Sequence, residues 1–454
     1  MGDKLKIWFV HPNLGIGGAE KLIVDAAFGM QEAGHSVSVL TSHFSATHSF
    51  AKTASLRVFV AGSWLPNSIF GGLALICASL KSIILVLWAI STMKLPDIIV
   101  IDQLALPVLA FNLLQIPTIF YCHFPDFMLA KHNTPLLRMY RWPLDILERI
   151  STLAATRILV NSKFTKSALE YAFVPANSPV IVYPCIDENS LTDYSALPIL
   201  DVGKRSIFLS INRFERKKEV EKAIFAFANM KSSILKQSIL LIAGGYDPKN
   251  SENISYLSEL QKIASKYGLE HNVYSKGTRN SHLVDKNVKI VFVPSFNDEM
   301  KRWMLTEAKV LLYTPQNEHF GIVPIEAMYM RCPVIACNSG GPMETIVHGV
   351  TGFLCDDGDV AKFTAYMELF CCDKIDETEA GSRKWRMRMG ESGREHVKSL
   401  FGSSTFLTNL ENIILVTAMT HEPKMFYHNV FKMIIMTLSI IAVTSAIYFW
   451  SINL

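Results

Sequence analysis

The sequence predicts an α/β protein with two doubly wound parallel sheets, one in each half of the chain, followed by a C-terminal transmembrane helix. Short apolar runs alternate with segments of helical composition, which is typical of parallel sheets covered by helices. A polar stretch, Asp187–Lys204, interrupts this alternation, which then begins again. Further along, Met433–Trp450 contains no charged residue.

Composition narrows the class of protein. Of 454 residues, 50% are hydrophobic and 19% are charged, which excludes a disordered chain. The net charge of +4 is too small for a dedicated nucleic-acid-binding protein. None of the eight cysteines forms a CxxC pair, and the apolar run that begins at Ile7 is too short for a secretory signal. We therefore expect a cytosolic catalytic part with reduced thiols, and some contact with lipid.

The first predicted domain covers residues 1–195. Lys6–Val10 is its first strand, Gly15–Gly18 a glycine-rich turn, Ala19–Ala33 a helix and Val37–Thr41 the second strand. Further strands are predicted at Asp97–Ile101, Thr118–Cys122, Arg157–Val160 and Val180–Tyr183.

The second predicted domain covers residues 205–375. Its strands are predicted at Ser206–Ile211, Ile239–Ala243, Val288–Val293, Val310–Tyr313 and Val334–Ala336, with Gly352–Cys355 as a short further strand. Helices are predicted at Glu219–Met230 and Ile254–Lys266, and residues 376–415 should form helices that pack back towards the first domain. Two such Rossmann-like domains would face a cleft at the carboxyl ends of their strands, where ligands bind in such folds.

Two apolar segments predict contact with a membrane. Residues 433–450 would span about 27 Å as a helix, close to the thickness of a bilayer core, although a buried terminal helix has a similar composition. Lys424 and Lys432 on its amino side predict that the enzyme lies in the cytosol. Residues 69–90 carry Lys81, and strands of one sheet precede and follow them, so we expect an in-plane or hairpin contact with lipid rather than a crossing. A plain covering helix is the alternative.

Two segments could bind a diphosphate. Gly17 and Gly18 lie in a turn between a strand and a helix, where backbone N–H groups can approach an anion. The same turn could simply be a tight connection. Arg213 and Lys218 belong to a run with four cations in six residues after a strand, and they could neutralise a leaving group. A solvated basic turn is the alternative.

The stretch from Glu318 to Glu326 combines acids with a predicted helix start. Gly321 permits close approach of a ligand, and Ile322 and Val323 supply backbone N–H groups before Pro324. The two carboxylates could hold sugar hydroxyls at the two ends of a nucleotide sugar. A glycosidase acid pair is the alternative, but it needs neither the glycine nor the basic run.

Two further candidates are weaker. His123 follows a predicted strand at its carboxyl edge and could bind substrate or stay structural. Asp357 and Asp359 have the spacing of a metal-binding pair, but they lie in an acid-rich loop after a short strand, and we expect an ordinary turn there.

The motifs together resemble a known family. Glu318 and Glu326 match the E-x7-E motif of the retaining GT-B glycosyltransferases of family four, and Arg213 and Lys218 match its basic pair. Glu219 departs from the pattern, since many relatives place Gly there. Within the family, the chain resembles the eukaryotic mannosyltransferases of the dolichol-linked oligosaccharide pathway over about residues 5 to 400, through HPNLGIGGAEKL, FYCHFPDFML, LVNSKFT, SINRFERKK, AGGYDP and YTPQNEHFGIVPIEAMYMRCPVIACNSGGPMETI.

The resemblance implies a specific reaction. It implies transfer of an α-1,3- and an α-1,6-linked mannose from GDP-mannose to Man1GlcNAc2-diphosphodolichol, with retention, at the cytosolic face of the endoplasmic reticulum membrane. Catalytic roles would fall on Glu318, His123, Lys218 and Arg213. The donor would bind Gly17, Gly18, Arg213, Lys218, Gly321, Ile322, Val323 and Glu326.

The resemblance also bears on cofactors and partners. No obligate metal or other cofactor is expected. Membrane lipid is an expected partner, and a complex with other enzymes of the pathway is allowed. The first rival function is a lipid glycosyltransferase that uses a UDP-sugar, which the two glutamates and the basic pair do not distinguish. The second is a catalytically silent binding subunit that keeps the fold, and the intact site residues count against it.

Overall fold

The computed structural model describes residues 4–68, 73–130, 133–192, 194, 199–274, 283–371 and 379–421. The chain divides into two compact units. Unit 1 comprises Met1–Tyr183 and Phe406–Leu454, and unit 2 comprises Pro184–Thr405. The first division therefore falls at Tyr183, before the polar stretch that we expected to separate the domains at residues 195–205.

Unit 1 contains a parallel sheet of seven strands among its described residues, in the order β3-β2-β1-β4-β5-β6-β7. The strands are β1 Lys6–His11, β2 Ser36–Thr41, β3 Val58–Val60, β4 Ile98–Asp102, β5 Thr118–Cys122, β6 Arg157–Val160 and β7 Val180–Ile181. Its helices are α1 Gly18–Glu32, α2 Ala74–Thr92, α3 Pro107–Leu113, α4 Asp126–Leu129, α5 Pro135–Leu153 and α6 Lys163–Phe173.

Unit 2 repeats this design. Its described residues form a parallel sheet of seven strands in the order β10-β11-β9-β8-β12-β13-β14. The strands are β8 Ser206–Ile211, β9 Ser238–Gly244, β10 His271–Val273, β11 Ile290–Pro294, β12 Ala308–Tyr313, β13 Val334–Cys337 and β14 Gly352–Cys355. Its helices are α7 Glu221–Ala228, α8 Ser232–Lys236, α9 Ser251–Lys266, α10 Asp298–Glu307, α11 Ile322–Tyr329, α12 Pro342–Thr345, α13 Val360–Leu369 and α14 Glu379–Phe401, and α15 Ser403–Met419 follows.

The cores explain why the strands are continuous apolar runs in the sequence. In unit 1 the sheet residues Trp8, Ile99 and Phe120 pack with Val86 of α2 and Phe111 of α3. In unit 2 Phe208, Leu240 and Leu312 pack with Phe227 of α7 and Leu260 of α9. A parallel sheet covered on both faces has no wet side, so alternation of polar and apolar residues is lost.

For residues 69–90 we expected an in-plane or hairpin contact with lipid, and the described part of this segment forms no hairpin. From Ala74 to Thr92 it is a single helix, α2, that packs on β2 and α3. Leu85, Val86 and Ala89 are buried, whereas Leu80, Ile83 and Leu87 on the opposite face are exposed. Among the described residues, α2 alone is long and apolar enough to cross a membrane, with a third of its most apolar window buried. Helix α2 thus covers the sheet with one face and presents an apolar face to the outside.

The two C-terminal helices pack on different units. Helix α14 packs on α11 within unit 2. In α15, Leu407 lies against Gly29 of α1 and Glu411 lies 3.3 Å from His35, all within unit 1. The predicted transmembrane helix, residues 433–450, lies outside the described residues.

Candidate active site

Both sheets have a point where the order of strands reverses, and this point predicts where ligands bind. In unit 1 it lies between β1 and β4, and in unit 2 between β8 and β12. Ligands of open α/β sheets bind beyond the carboxyl ends of the strands at such a point. His11 and Asp102 end β1 and β4, while Tyr313 ends β12 and Arg213 follows β8. The residues at these two edges are therefore the candidates for chemistry.

Lys218 and Glu318 meet at the edge of the unit 2 sheet. The Lys218 Nζ lies 2.5 Å from the Glu318 Oε2, with side chains 11% and 21% exposed. The Thr314 hydroxyl donates a hydrogen bond of 2.7 Å to the Lys218 carbonyl, which fixes the lysine beside the end of β12. Burial raises the pKa of Glu318, but Lys218, His319 and a hydrogen bond from Tyr313 lower it more, so its pKa falls below the ordinary value. Glu318 is therefore an ionised carboxylate.

The basic run around Lys218 divides its cations between different partners. Arg216 turns away and pairs with Glu259 of α9 at 2.9 Å. Arg213 and Lys217 both contact Glu215, and their side chains are 64% and 66% exposed. The structure thus leaves Arg213 near solvent at the strand end and Lys218 half-enclosed, rather than a cluster of four equivalent cations.

Glu219, which stands where many relatives place Gly, adopts the backbone conformation that glycine favours. Its φ is +48°, in the left-handed region that favours glycine. Its carboxylate lies 2.9 Å from the Lys222 Nζ. The turn therefore keeps the conformation that glycine would adopt, and the position of Lys218 is preserved.

Two glycines hold the backbone of Glu318. The Gly341 N–H donates a hydrogen bond of 2.7 Å to the Glu318 carbonyl. A Cβ on Gly340, whose φ is +63°, would lie 2.4 Å from the same carbonyl oxygen. The loop after β13 thus packs directly on the backbone that carries the carboxylate. These glycines were not predicted as site residues, although the Gly-Gly-Pro sequence before α12 marks a turn.

Helix α11 presents its amino terminus beside this pair. Gly321 caps it with φ +84°, and Ile322 and Val323 supply N–H groups without partners inside the helix, as in any first turn. Such a terminus attracts anions. Glu326, inside the helix, is buried and lies 2.6 Å from the Lys301 Nζ of α10. Lys301 was not predicted, because nothing in its sequence context separates it from a surface lysine.

A buried network links three strand ends of unit 1. The His11 Nδ1 lies 3.0 Å from the Asp102 Oδ2, and the His123 Nε2 lies 2.6 Å from the Asp102 Oδ1. His11 and Asp102 are fully buried, and the His123 side chain is 24% exposed. Neither His11 nor Asp102 was predicted. Each is a single polar residue at the end of an apolar strand, and no spacing in the sequence distinguishes it.

Charges in this network oppose the effect of burial. Burial raises the pKa of Asp102, but the lowering by His123 and His11 is larger, so that the pKa falls to about 2. Burial lowers the pKa of His123, whereas Asp102 and Glu20 raise it more, so that it lies above the ordinary value. His123 therefore stays protonated to higher pH than a free histidine, with its charge balanced by Asp102.

The glycine-rich turn of unit 1 is placed at the start of α1. Gly17 caps the helix, and a Cβ on Gly18 would meet open space. The carboxylate of Glu20 lies where a Cβ on Gly17 would be, so an acid already occupies this side of the helix start.

The Asp357 and Asp359 pair serves local structure. Asp357 lies 3.0 Å from the Lys222 Nζ, and Asp359 caps α13 by accepting from the Lys362 N–H. Across the part of the chain that the structure describes, no three His, Cys, Asp or Glu side chains are grouped as metal ligands.

Comparisons with known families agree with this architecture. The family described as Glycosyltransferase Family 4 matches residues 16–190, and Glycosyl transferases group 1 matches residues 199–299 and 285–396. Among solved structures, sucrose-phosphate synthase from Thermosynechococcus elongatus is similar at a TM-score of 0.68 and 17% identity, over 90% of this chain and 98% of that one. A glycosyltransferase from Rickettsia africae has a TM-score of 0.66 and 15% identity, over 93% and 100% of the two chains. Fold and family thus define a two-domain glycosyltransferase of the GT-B class.

Relatives with higher sequence identity define the family within the GT-B glycosyltransferases. The α-1,3/1,6-mannosyltransferase ALG2 of Rhizomucor pusillus is 40% identical over 90% of this chain and 91% of its own length. The proteins of the same name from Saccharomyces cerevisiae and Homo sapiens are 42% and 37% identical, over 77% and 90% of this chain and 73% and 95% of theirs. The chain belongs to the family of α-1,3/1,6-mannosyltransferases.

Proposed function

We propose that the protein transfers mannose from GDP-mannose to Man1GlcNAc2-diphosphodolichol and forms one α-1,3 and one α-1,6 linkage, to give Man3GlcNAc2-diphosphodolichol. The observation that carries the reaction type is the Lys218–Glu318 pair at the strand-order reversal of unit 2, beside the amino terminus of α11. The family membership supports mannose as the sugar. The donor nucleotide and the lipid carrier follow from the resemblance described above.

The diphosphate has a cationic site of the required chemistry. Negative charge grows on the leaving phosphate as the bond to the anomeric carbon breaks. Arg213, Lys218 and the N–H groups of Ile322 and Val323 offer positive charge and hydrogen-bond donors to that phosphate. Pre-oriented donors of this kind perform the task that a divalent metal performs elsewhere, so no obligate metal is required.

The carboxylates and the histidine are assigned to the sugars. Glu318 holds mannose hydroxyls and Glu326 holds the ribose. The resemblance assigns His123 to the mannose; because its Nε2 faces Asp102, its Nδ1–H is the donor left for a sugar hydroxyl. The pairing with Asp102 also neutralises the imidazolium, so that it does not oppose positive charge on the sugar ring in the transition state.

Retention follows from attack on the face that the phosphate leaves. The acceptor hydroxyl forms the new bond to the anomeric carbon, the bond from that carbon to the phosphate oxygen breaks, and the hydroxyl proton passes to the leaving phosphate. No protein nucleophile is needed.

We place the enzyme on the cytosolic face of the endoplasmic reticulum membrane, with residues 433–450 as a membrane-spanning helix. This location agrees with the apolar sequence of that segment, with Lys424 and Lys432 before it, and with the lipid-linked acceptor. Other enzymes of the same pathway are proposed partners.

The test is to incubate detergent-solubilised protein with GDP-mannose or UDP-sugars and a synthetic lipid-linked trisaccharide. We expect two mannoses by mass, from GDP-mannose alone, and release of each by the mannosidase specific for its linkage. Transfer from a UDP-sugar, or no transfer under conditions where the protein stays folded, would contradict the proposal.

A further inference from the structure

Three charged side chains of helix α5, Arg141, Asp145 and Glu148, are turned towards the interior of unit 1. The Arg141 guanidinium lies 2.7 Å from Asp126 and 2.6 Å from Asp145, and these groups are largely buried except for Asp126. The Glu148 carboxylate accepts hydrogen bonds from the N–H groups of Asp126 and Phe127 at 2.6 and 2.9 Å. These three groups therefore have their partners within unit 1.

The opposite face of α5 is apolar and exposed. We call this the outer stripe; it consists of Met139, Trp142, Ile146, Ile150 and Leu153, which are 71%, 68%, 39%, 52% and 36% exposed. Spacings of three and four residues place them along one side of a helix. An ordinary surface helix has the reverse arrangement, with its apolar face on the core. An apolar face turned to the outside marks a surface that meets another apolar phase.

The charged residues beside the outer stripe indicate which kind of surface would bind there. Arg138 and Arg149 are exposed, while the acids of the helix, Asp145 and Glu148, are turned inward. Helices that lie in a membrane interface combine an apolar face containing Trp with flanking cations. A surface with anionic headgroups and acyl chains complements both features.

The position of the C-terminal segment also supports a lipid surface as the binding partner of the outer stripe. A cavity of about 580 Å³ is lined by Leu153 at the end of α5 and by Thr420 and His421 at the end of the described C-terminal segment. The His421 Nε2 lies 3.2 Å from the Gln115 carbonyl. The apolar segment 433–450 begins twelve positions after His421, so at most about 40 Å of chain separates it from this end of α5.

We propose that the outer stripe docks unit 1 on the surface of an anionic bilayer, with α5 lying in the plane of the interface. This extends the proposed membrane location but depends on neither the donor nor the reaction. Its failure would leave the transfer assay unaffected.

The experiment uses the full chain in nanodiscs of phosphatidylcholine and phosphatidylinositol that contain a phosphatidylcholine with a photoactivatable diazirine in its acyl chain. Trypsin releases two peptides, Trp142–Arg149 and Ile150–Arg157, and each carries two residues of the outer stripe. Tyr171, 82% exposed on α6, is the reference for an exposed side chain away from the stripe. We expect lipid label on both peptides and none above background on Tyr171.

A double substitution, Trp142→Glu with Ile146→Glu, should abolish the label on the unchanged peptide Ile150–Arg157. The matched control Tyr171→Glu should leave that label intact, and thermal unfolding should show that both variants are folded. Arg149→Gln joins the two peptides into one and should lower its label about fivefold, the contribution of one cation near an anionic surface.

Two outcomes would overturn the proposal. One is label on the stripe no stronger than on Tyr171. The other is photocrosslinking of the stripe to residues 422–454 in place of lipid, which would mean that the chain's own tail covers α5.

Discussion

Substitution of Gly340 by alanine tests whether the backbone of Glu318 is held where the chemistry needs it. Gly340 has φ +63°, and the space beside its Cα is occupied by the backbone of Glu318. A Cβ there would lie 2.4 Å from the Glu318 oxygen and 2.7 Å from its nitrogen. Both atoms belong to the backbone, so no side-chain rotation relieves the contact.

The size of the effect follows from these distances. An ordinary carbon–oxygen contact begins near 3.4 Å, so the Glu318 backbone must retreat by about 1 Å. A misplacement of that size in a positioning group lowers a rate about 100-fold, or about 2.7 kcal/mol of barrier. Alanine at positive φ also destabilises the fold by about 1 kcal/mol or more.

Gly349→Ala is the matched control. Gly349 has φ +76°, and a Cβ there would have no atom within 4 Å, so this variant shares the backbone cost and lacks the contact. We expect both variants to lose stability in thermal unfolding, and Gly340→Ala alone to lose kcat in a mannosyl transfer assay. Equal kcat values for the two variants would refute the reasoning.

Three other predictions follow from the site. Lys218→Ala should lower kcat about 100-fold or more, because it removes charge from the leaving phosphate; a rise in KM with kcat unchanged would contradict that role. Asp102→Asn removes the carboxylate that raises the pKa of His123 and leaves burial, which lowers it. Because the imidazolium is lost as pH rises through its pKa, the alkaline limb of kcat/KM should move to lower pH in the variant, and an unmoved limb would exclude His123 as a protonated donor. Activity should survive excess EDTA, and a loss that Mn²⁺ restores would show that a metal takes part.

The strands were largely predictable because buried parallel strands are continuous apolar runs. β8, β5 and β6 have the predicted bounds, and β4 differs by one residue. Val58–Val60 and His271–Val273 were missed because each is a three-residue edge strand, and the second contains two polar residues. Helix α5 was not assigned, since Pro143 interrupts its pattern and its apolar face is turned outward.

The candidate site residues were predictable where they belong to a short sequence motif. Lys218, Glu318 and the start of α11 could be selected as candidates because they lie in short segments with distinctive residue types. The site residues that were missed contact groups from distant parts of the chain: Lys301 is 25 positions from Glu326, and His11 is 91 positions from Asp102. Contacts of that kind are set by strand order, which no local pattern records.

The central claim is that the donor's diphosphate is bound by Arg213, Lys218 and the amino terminus of α11. A structure determined with GDP-mannose bound tests it most directly. We predict phosphate oxygens about 3 Å from the Lys218 Nζ and from the N–H nitrogens of Ile322 and Val323. A diphosphate that contacts none of these groups would contradict the account.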